Sequence, residues 1–178
     1  PDLSNALDDH GNTILHNLCQ AQNVFDSSAL LDGRLMTETI IQRHKSSTTI
    51  PNAHGNLPLH RALESKKPWE YVLRPLLDVA PETVSLGNTV TRQLPLHMAI
   101  SNYPSRSKEI HNIWQLYPDA SAIQDPTTNL YPFQLAAVAK DTPRQGQLVT
   151  LPSNNAEERR SSHENTRASR NLGLATTI

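Results

Sequence analysis

The sequence predicts an all-α fold, a row of stacked antiparallel helix pairs joined by turns or short hairpins, and three observations carry that expectation. The pattern Leu-Pro-Leu-His-x-Ala is spelled at residues 57–62 and again at 94–99, and Pro58, Pro95 and Pro132 stand 37 residues apart. Apolar places recur in the same step: Leu63 with Ile100, Leu73 with Ile110, Leu76 with Ile113, Val79 with Leu116, Leu86 with Ile123. The stretches between, "SLGNTVTRQ" and "AIQDPTTNL", are rich in Gly, Asn, Asp and Thr and read as turns. Self-similarity at a fixed period of this order marks an array in which each unit covers its neighbour's apolar face, so that no single unit folds alone.

The elements follow in order. "DDHGNTILHNLC" opens the first unit, with Thr13, Leu15 and His16 in register and Ile14 in the proline place. Ile14 lies 44 residues before Pro58, seven beyond the period. The excess is expected in "AQNVFDSSALLDG", residues 21–33, and the second helix over "RLMTETIIQRH", where Ile40 and Ile41 match Leu76 and Leu77. In the next unit Pro58 suits a first helical turn, where its missing N–H is not needed, and Leu59, Ala62 and Leu63 fall on one face. "KKP" ends that helix, and "WEYVLRPLLDVA" supplies a second whose stripe is Val72, Leu73, Leu76 and Val79, stopped by Pro81. Pro75 stands inside it; an interior proline costs about 3 kcal/mol and predicts a bend or a late start. The third unit repeats the scheme with "KEIHNIWQLY" before Pro118. A partial fourth begins "DPTTNLYPFQLAAVAK", with Tyr131, Phe133 and Ala136 in the Leu57, Leu59 and Ala62 places and Gln134 instead of histidine.

After Lys140 the pattern fails. The domain organisation is therefore an array over residues 1–140, with units at about 8–50, 52–86, 88–123 and a partial 125–140, and a polar tail over 141–178 expected to be disordered. Within the tail "GQLVTL", residues 146–151, offers a short apolar contact, and the unfinished last unit leaves Phe133, Leu135 and Val138 as an open apolar face.

Composition narrows the function classes. Sixteen Lys and Arg against 17 Asp and Glu give a net charge of −1, so no global field draws the chain to nucleic acid or an anionic membrane. The tail carries four acids against five Arg and no aromatic residue, which disfavours nucleic acid there too. Cys19 stands alone, so an intramolecular disulfide is excluded and a cytoplasmic or nuclear compartment expected. No run of about 18 apolar residues predicts membrane insertion. Gly-x-Ser-x-Gly, Gly-x-Gly-x-x-Gly and the phosphate-binding Gly-x-x-x-x-Gly-Lys are absent, and the eight histidines form no His-x-x-x-His or Cys-His cluster. Cys19 aligns with Leu63 and Ile100 and reads as a buried, inert thiol, while His10, His44, His54, His111 and His163 read as exposed. No catalytic residue, cofactor, metal or small-molecule substrate is expected.

The openings Asp8-Asp9-His10-Gly11-Asn12-Thr13-Ile14-Leu15-His16 and Asn52-Ala53-His54-Gly55-Asn56-Leu57-Pro58-Leu59-His60 resemble the ankyrin-repeat family, whose unit has an Asp-x-x-Gly turn followed by Thr-Pro-Leu-His-x-Ala. The resemblance covers roughly residues 8–140. It departs in its period of 37 rather than about 33, in Pro81 and Pro118 where glycine is usual, and in Leu57, Leu94 and Tyr131 where threonine is usual. Those three substitutions remove the threonine hydroxyl that would bond the histidine. Other helix-pair arrays of about 40–47 residues per unit remain open. The resemblance implies that His16, His60 and His97 tie their turns to the neighbouring unit, and that loop tips and the outward side of each first helix form a concave strip for a partner protein.

By position that strip holds His54, Asn56, Glu64, Gln93, Ser101, Leu130 and Val138, and changes at Asn56 or Gln93 are expected to move stability by no more than about 0.5 kcal/mol. Trp69 and Trp114 sit on or beside the second-helix stripe and are expected to serve packing before binding. The function expected is that of a non-catalytic interaction or scaffolding module. Two rivals are a recognition domain of a larger enzyme or regulator whose catalytic part lies elsewhere, and a histidine-dependent metal hydrolase, against which the spacing argues.

Overall fold

Pro58, Pro95 and Pro132 each open a helix, as their fixed φ and missing donor favour. The computed structural model describes residues 6–21 and 30–141, and among them the fold is all-α, with no strand. The order is α1 (Ile14–Gln20), α2 (Leu30–Arg43), α3 (Pro58–Glu64), α4 (Arg74–Val79), α5 (Pro95–Asn102), α6 (Lys108–Leu116) and α7 (Pro132–Asp141). The odd-numbered helices follow one another in contact, α1 on α3, α3 on α5 and α5 on α7, and each of the first three also touches the helix that follows it in sequence. The core runs along this row: Leu15 and Cys19, then Leu59, Ala62 and Leu63, then Leu96, Ala99 and Ile100, closed from the second helices by Ile41, Leu73, Leu76 and Ile113.

The second helices differ from the sequence expectation in instructive ways. α2 begins at Leu30, four residues before the expected start at Arg34, so its first turn absorbs part of "AQNVFDSSALLDG"; residues 22–29 lie outside the described residues. Pro75 is reached through a π-helical segment, Trp69–Leu73, in which the Arg74 N–H bonds the Trp69 carbonyl, and α4 then starts with Pro75 at its second position. The wider turn places the residue without an N–H where none is required, which is the irregularity Pro75 demands. Trp69 is buried, but Trp114 on α6 is 44 % exposed, as is much of Leu116; the stripe that buries Ile113 does not extend to them.

Pro81 and Pro118 do stop their helices, and they do so identically. Ala80 and Tyr117, the residues before them, take φ, ψ of −140°, 73° and −143°, 78°, away from the helical region that a following proline disfavours. Each proline then opens a 3-10 turn, Pro81–Ser85 and Pro118–Ala122, and the first unit has a shorter one at Lys45–Ser47. The expected tail falls mostly beyond the described residues, including "GQLVTL" and His163. In the partial unit Leu135 is buried, whereas Phe133, stacked on Tyr131 with ring centroids 6.0 Å apart, and Val138 are exposed. No helix among the described residues is long and apolar enough to cross a membrane.

Candidate functional site

Four loops precede the odd-numbered helices, and one polar residue organises each: Asp8, Asn52, Asn88 and Asp125. Their backbone N–H groups close the loops by donating to the carbonyls of Asn12 (3.0 Å), Asn56 (2.9 Å), Gln93 (2.9 Å) and Leu130 (2.8 Å). Their side-chain oxygens accept N–H groups from inside the loop. Asp8 Oδ1 takes those of His10 and Asn12, Asn52 Oδ1 those of His54 and Asn56, Asn88 Oδ1 those of Val90 and Thr91, and Asp125 Oδ1 that of Thr127. Such bonds suit short Asx side chains and hold a turn without help from a strand. Gly55 sits at φ 76°, and a Cβ there would come within 2.7 Å of the Val90 nitrogen, so glycine is needed for both conformation and close approach.

The loops are also joined to each other. Asn52 Nδ2 donates to Asn12 Oδ1 at 2.8 Å and Asn88 Nδ2 to Asn56 Oδ1 at 2.7 Å. At the third junction the direction reverses, because Asp125 carries no donor: Gln93 Nε2 donates to Asp125 Oδ2 at 3.3 Å. Backbone rungs run alongside, Ala53 N–H to the His10 carbonyl and Thr89 N–H to the Gly55 carbonyl. Pro126, next in that series, has no N–H to give. Burial works against the charge on Asp125, yet the N–H and hydroxyl of Thr127, the Thr128 hydroxyl and Gln93 outweigh it and hold the carboxyl below its ordinary range. Asp8 is held down at about 2, chiefly by the Asn12 N–H.

The histidines tie each loop to its helix, and His16 also reaches the next unit. His16, His60 and His97 accept at Nδ1 from the backbone N–H of Thr13, Leu57 and Leu94, at 3.1, 3.1 and 3.2 Å. A threonine hydroxyl is therefore dispensable: only His16 has one, from Thr13 at 2.9 Å, and Leu57 and Leu94 serve through their main chain. At the opposite ring edge Nε2 faces a carbonyl: that of Asn56 in the following unit for His16 (2.7 Å), and those of Leu86 and Ile123, at the ends of their own units, for His60 (3.1 Å) and His97 (2.9 Å). An acceptor role at Nδ1 and a carbonyl at Nε2 require the neutral Nε2–H tautomer. Burial lowers the His16 pKa and pushes that of His60 down to about 4. Gln134 takes over the first half of the task, its Oε1 accepting from Tyr131 N–H at 2.9 Å. Leu86 and Ile123 stand with exposed side chains; the structure uses their carbonyls. Cys19 is fully buried among apolar neighbours, and burial raises its thiol to about 12. With both imidazole nitrogens engaged, neither His60 nor His97 has a lone pair left for a metal.

The residues placed on the expected strip differ in exposure. His54 is exposed at a loop tip, Ser101 is exposed with its hydroxyl on the His97 carbonyl, and Val138 is exposed on α7. Gln93 is half-buried between Asp125 and Thr127, and Leu130 is half-buried against the core. Asn56 is a correction. It is only 5 % exposed, its Nδ2 bonds Glu64 Oε1 at 3.1 Å, and Glu64 in turn pairs with Arg61 at 2.7 Å. A loop asparagine reads as exposed in sequence, but partners 8 and 32 residues away make this one a buried strut. Sequence reasoning also passed over Asn88, Asp125, Arg61 and the exposed tip residues Val90 and Arg92. The steps of 36 and 37 residues from Asn52 to Asn88 to Asp125 are the signal that finds the first two. His44 is half-buried rather than exposed, and His10 and His111 are exposed as expected.

The chain matches no family model and no curated protein. Its geometry must therefore speak for it. Asn56→Ala is expected to cost about 1–3 kcal/mol in urea unfolding, because it strips the cross-loop acceptor of Asn88 and the donor to Glu64. A loss below about 0.5 kcal/mol would return Asn56 to the surface positions.

Proposed function

We propose that this chain is an ankyrin-like solenoid that acts as a non-catalytic protein-binding or scaffolding module in the cytoplasm or nucleus, with its loop tips and the outward side of its first helices as the binding face. The observation that carries this reading is the division of labour within each unit. Three of the histidines, His16, His60 and His97, and the single thiol Cys19 are buried and used for joining or filling. The tips, by contrast, are closed by a similar backbone scheme and differ along the row in their side chains: histidine at His10 and His54, then Val90 and Arg92, then Thr127. A fixed scaffold with variable tips offers a preformed face, which lowers the ordering cost of association. The five-residue turns at Pro81 and Pro118 take up part of the difference between the 37-residue period and the shorter ankyrin unit.

The test is affinity capture with the full chain and with a variant carrying His54→Glu, Val90→Glu, Arg92→Glu and Ser101→Glu, positions exposed in the fold. The expected result is a protein retained by the unaltered chain and lost from the variant, with both melting alike. Equal retention by both would remove the strip as the binding face.

A further inference from the structure

The first unit presents, uncovered, a face that the second unit buries. A step of 36 residues superimposes α2 on the second helix of the next unit, pairing Thr37 with Leu73, Ile41 with Leu77 and Ser47 with Thr83, all buried, and Asn52 with Asn88. In the same register Met36 matches Val72, Thr39 matches Pro75, Ile40 matches Leu76 and His44 matches Ala80. Those four later residues are buried, and the helix that carries them contacts α2. Their counterparts instead line an open groove of about 550 Å³ with Ile14, Leu35 and Arg43; Met36 is 63 % and Leu35 66 % exposed. Ile14 holds the place of Pro58, Pro95 and Pro132, each of them buried.

The polar half of the junction has its counterparts in place, although the Asp8 carboxylate already accepts from His10, Asn12 and Asn17. Asp9 occupies the position from which Ala53 and Thr89 donate to the preceding loop. Asp8 occupies the position of Asn52, Asn88 and Asp125, and like Asp125 it can only accept from a preceding loop. Apolar groove, free rung and acceptor carboxylate thus continue the interface already formed between successive units. We propose that this face is a stacking surface for one further helix-pair unit of the same kind, set ahead of the first in the same direction, whose loop closes on an amide that donates to Asp8 as Gln93 does to Asp125. The occupant is defined by that junction, and the inference is independent of what the loop tips bind.

The third unit supplies the probe, since Gln93 already faces an aspartate. Residues 88–124 are joined ahead of Asp8 in place of residues 1–7, and the rest of the chain is kept. Hydrogen peroxide oxidation is followed at Met36, with the buried Met98, present in two copies in the fusion, as the internal reference. The expected result is Met36 oxidised at least tenfold more slowly in the fusion than in the unaltered chain, with a higher urea midpoint. Leu35→Glu should abolish both gains in the fusion and leave the unaltered chain's melt unchanged. Met36 oxidising at the unaltered rate in the fusion would overturn the proposal. So would concentration-dependent dimerisation of the unaltered chain that protects Met36, because the occupant would then be a second copy.

Discussion

Leu96→Asp should abolish cooperative folding at 25 °C. Leu96 is 2 % exposed on α5, the helix in contact with both α3 and α7, so the new carboxyl would lie at the centre of the row with no partner. The substitution loses the burial of a leucine side chain, worth about 2 kcal/mol, and desolvates a polar group that must stay protonated or break open its surroundings, at several kcal/mol more. A typical domain holds only about 5–15 kcal/mol in all. Because α5 packs on both α3 and α7, damage there should spread to both sides of the row. Circular dichroism during urea titration reads the outcome, and Leu96→Met, which nearly conserves volume, should cost less than about 1.5 kcal/mol. A cooperative melt of Leu96→Asp close to that of the unaltered chain would show that the side chain does not face the core.

Acid should loosen the chain well before its carboxylates titrate. An unfolded histidine binds its proton near pH 6.5, while His60 in the fold does so only at about 4. Between those values the unfolded state holds more protons, so stability is complete above pH 6.5, declines as the pH falls, and loses no more from this residue below 4. The difference corresponds to about 3 kcal/mol, and His16, shifted in the same direction, adds to it. Asp8, whose pKa is held at about 2, contributes stability that is present above the ordinary carboxylate range and disappears only at lower pH. Urea midpoints measured from pH 7.5 to 4.5 should therefore fall steadily. His60→Gln, which copies what Gln134 already does in the fourth unit, should keep the cap on Leu57 and flatten that slope. An unchanged slope in this variant would mean that another group carries the pH dependence.

The first helices were legible because their signals are local: a proline at the opening, an i, i+3, i+4 apolar face and a period that repeats them. The disturbance at Pro75 was legible for the same reason, although the form it takes, a π-helical segment, depends on what the neighbouring helices demand. What escaped was set by contacts far apart in sequence. Asn56 looks like any loop asparagine until Asn88 and Glu64 are brought to it. Trp114 lies near the stripe by spacing, yet it stays 44 % exposed because the burial centred on Ile113 does not reach it. The loss of threonine at Leu57 and Leu94 looked disabling because the hydroxyl is what a sequence displays, whereas the decisive donor is a main-chain N–H that every residue except proline provides.

The Asn52 to Asn12 and Asn88 to Asn56 bonds use the same two residue types in the same orientation. Excision of residues 52–87 would therefore bring Asn88 to Asn12 and recreate the bond that was lost. Gene duplication or deletion in steps of one whole unit can therefore preserve the Asn–Asn seam, whereas the Gln93–Asp125 seam has a different chemistry. A break between His60 and Leu86, or between His97 and Ile123, would separate a histidine from the carbonyl it serves. The ladder thus makes the length of the protein an easily inherited variable and the boundaries of its units a fixed one.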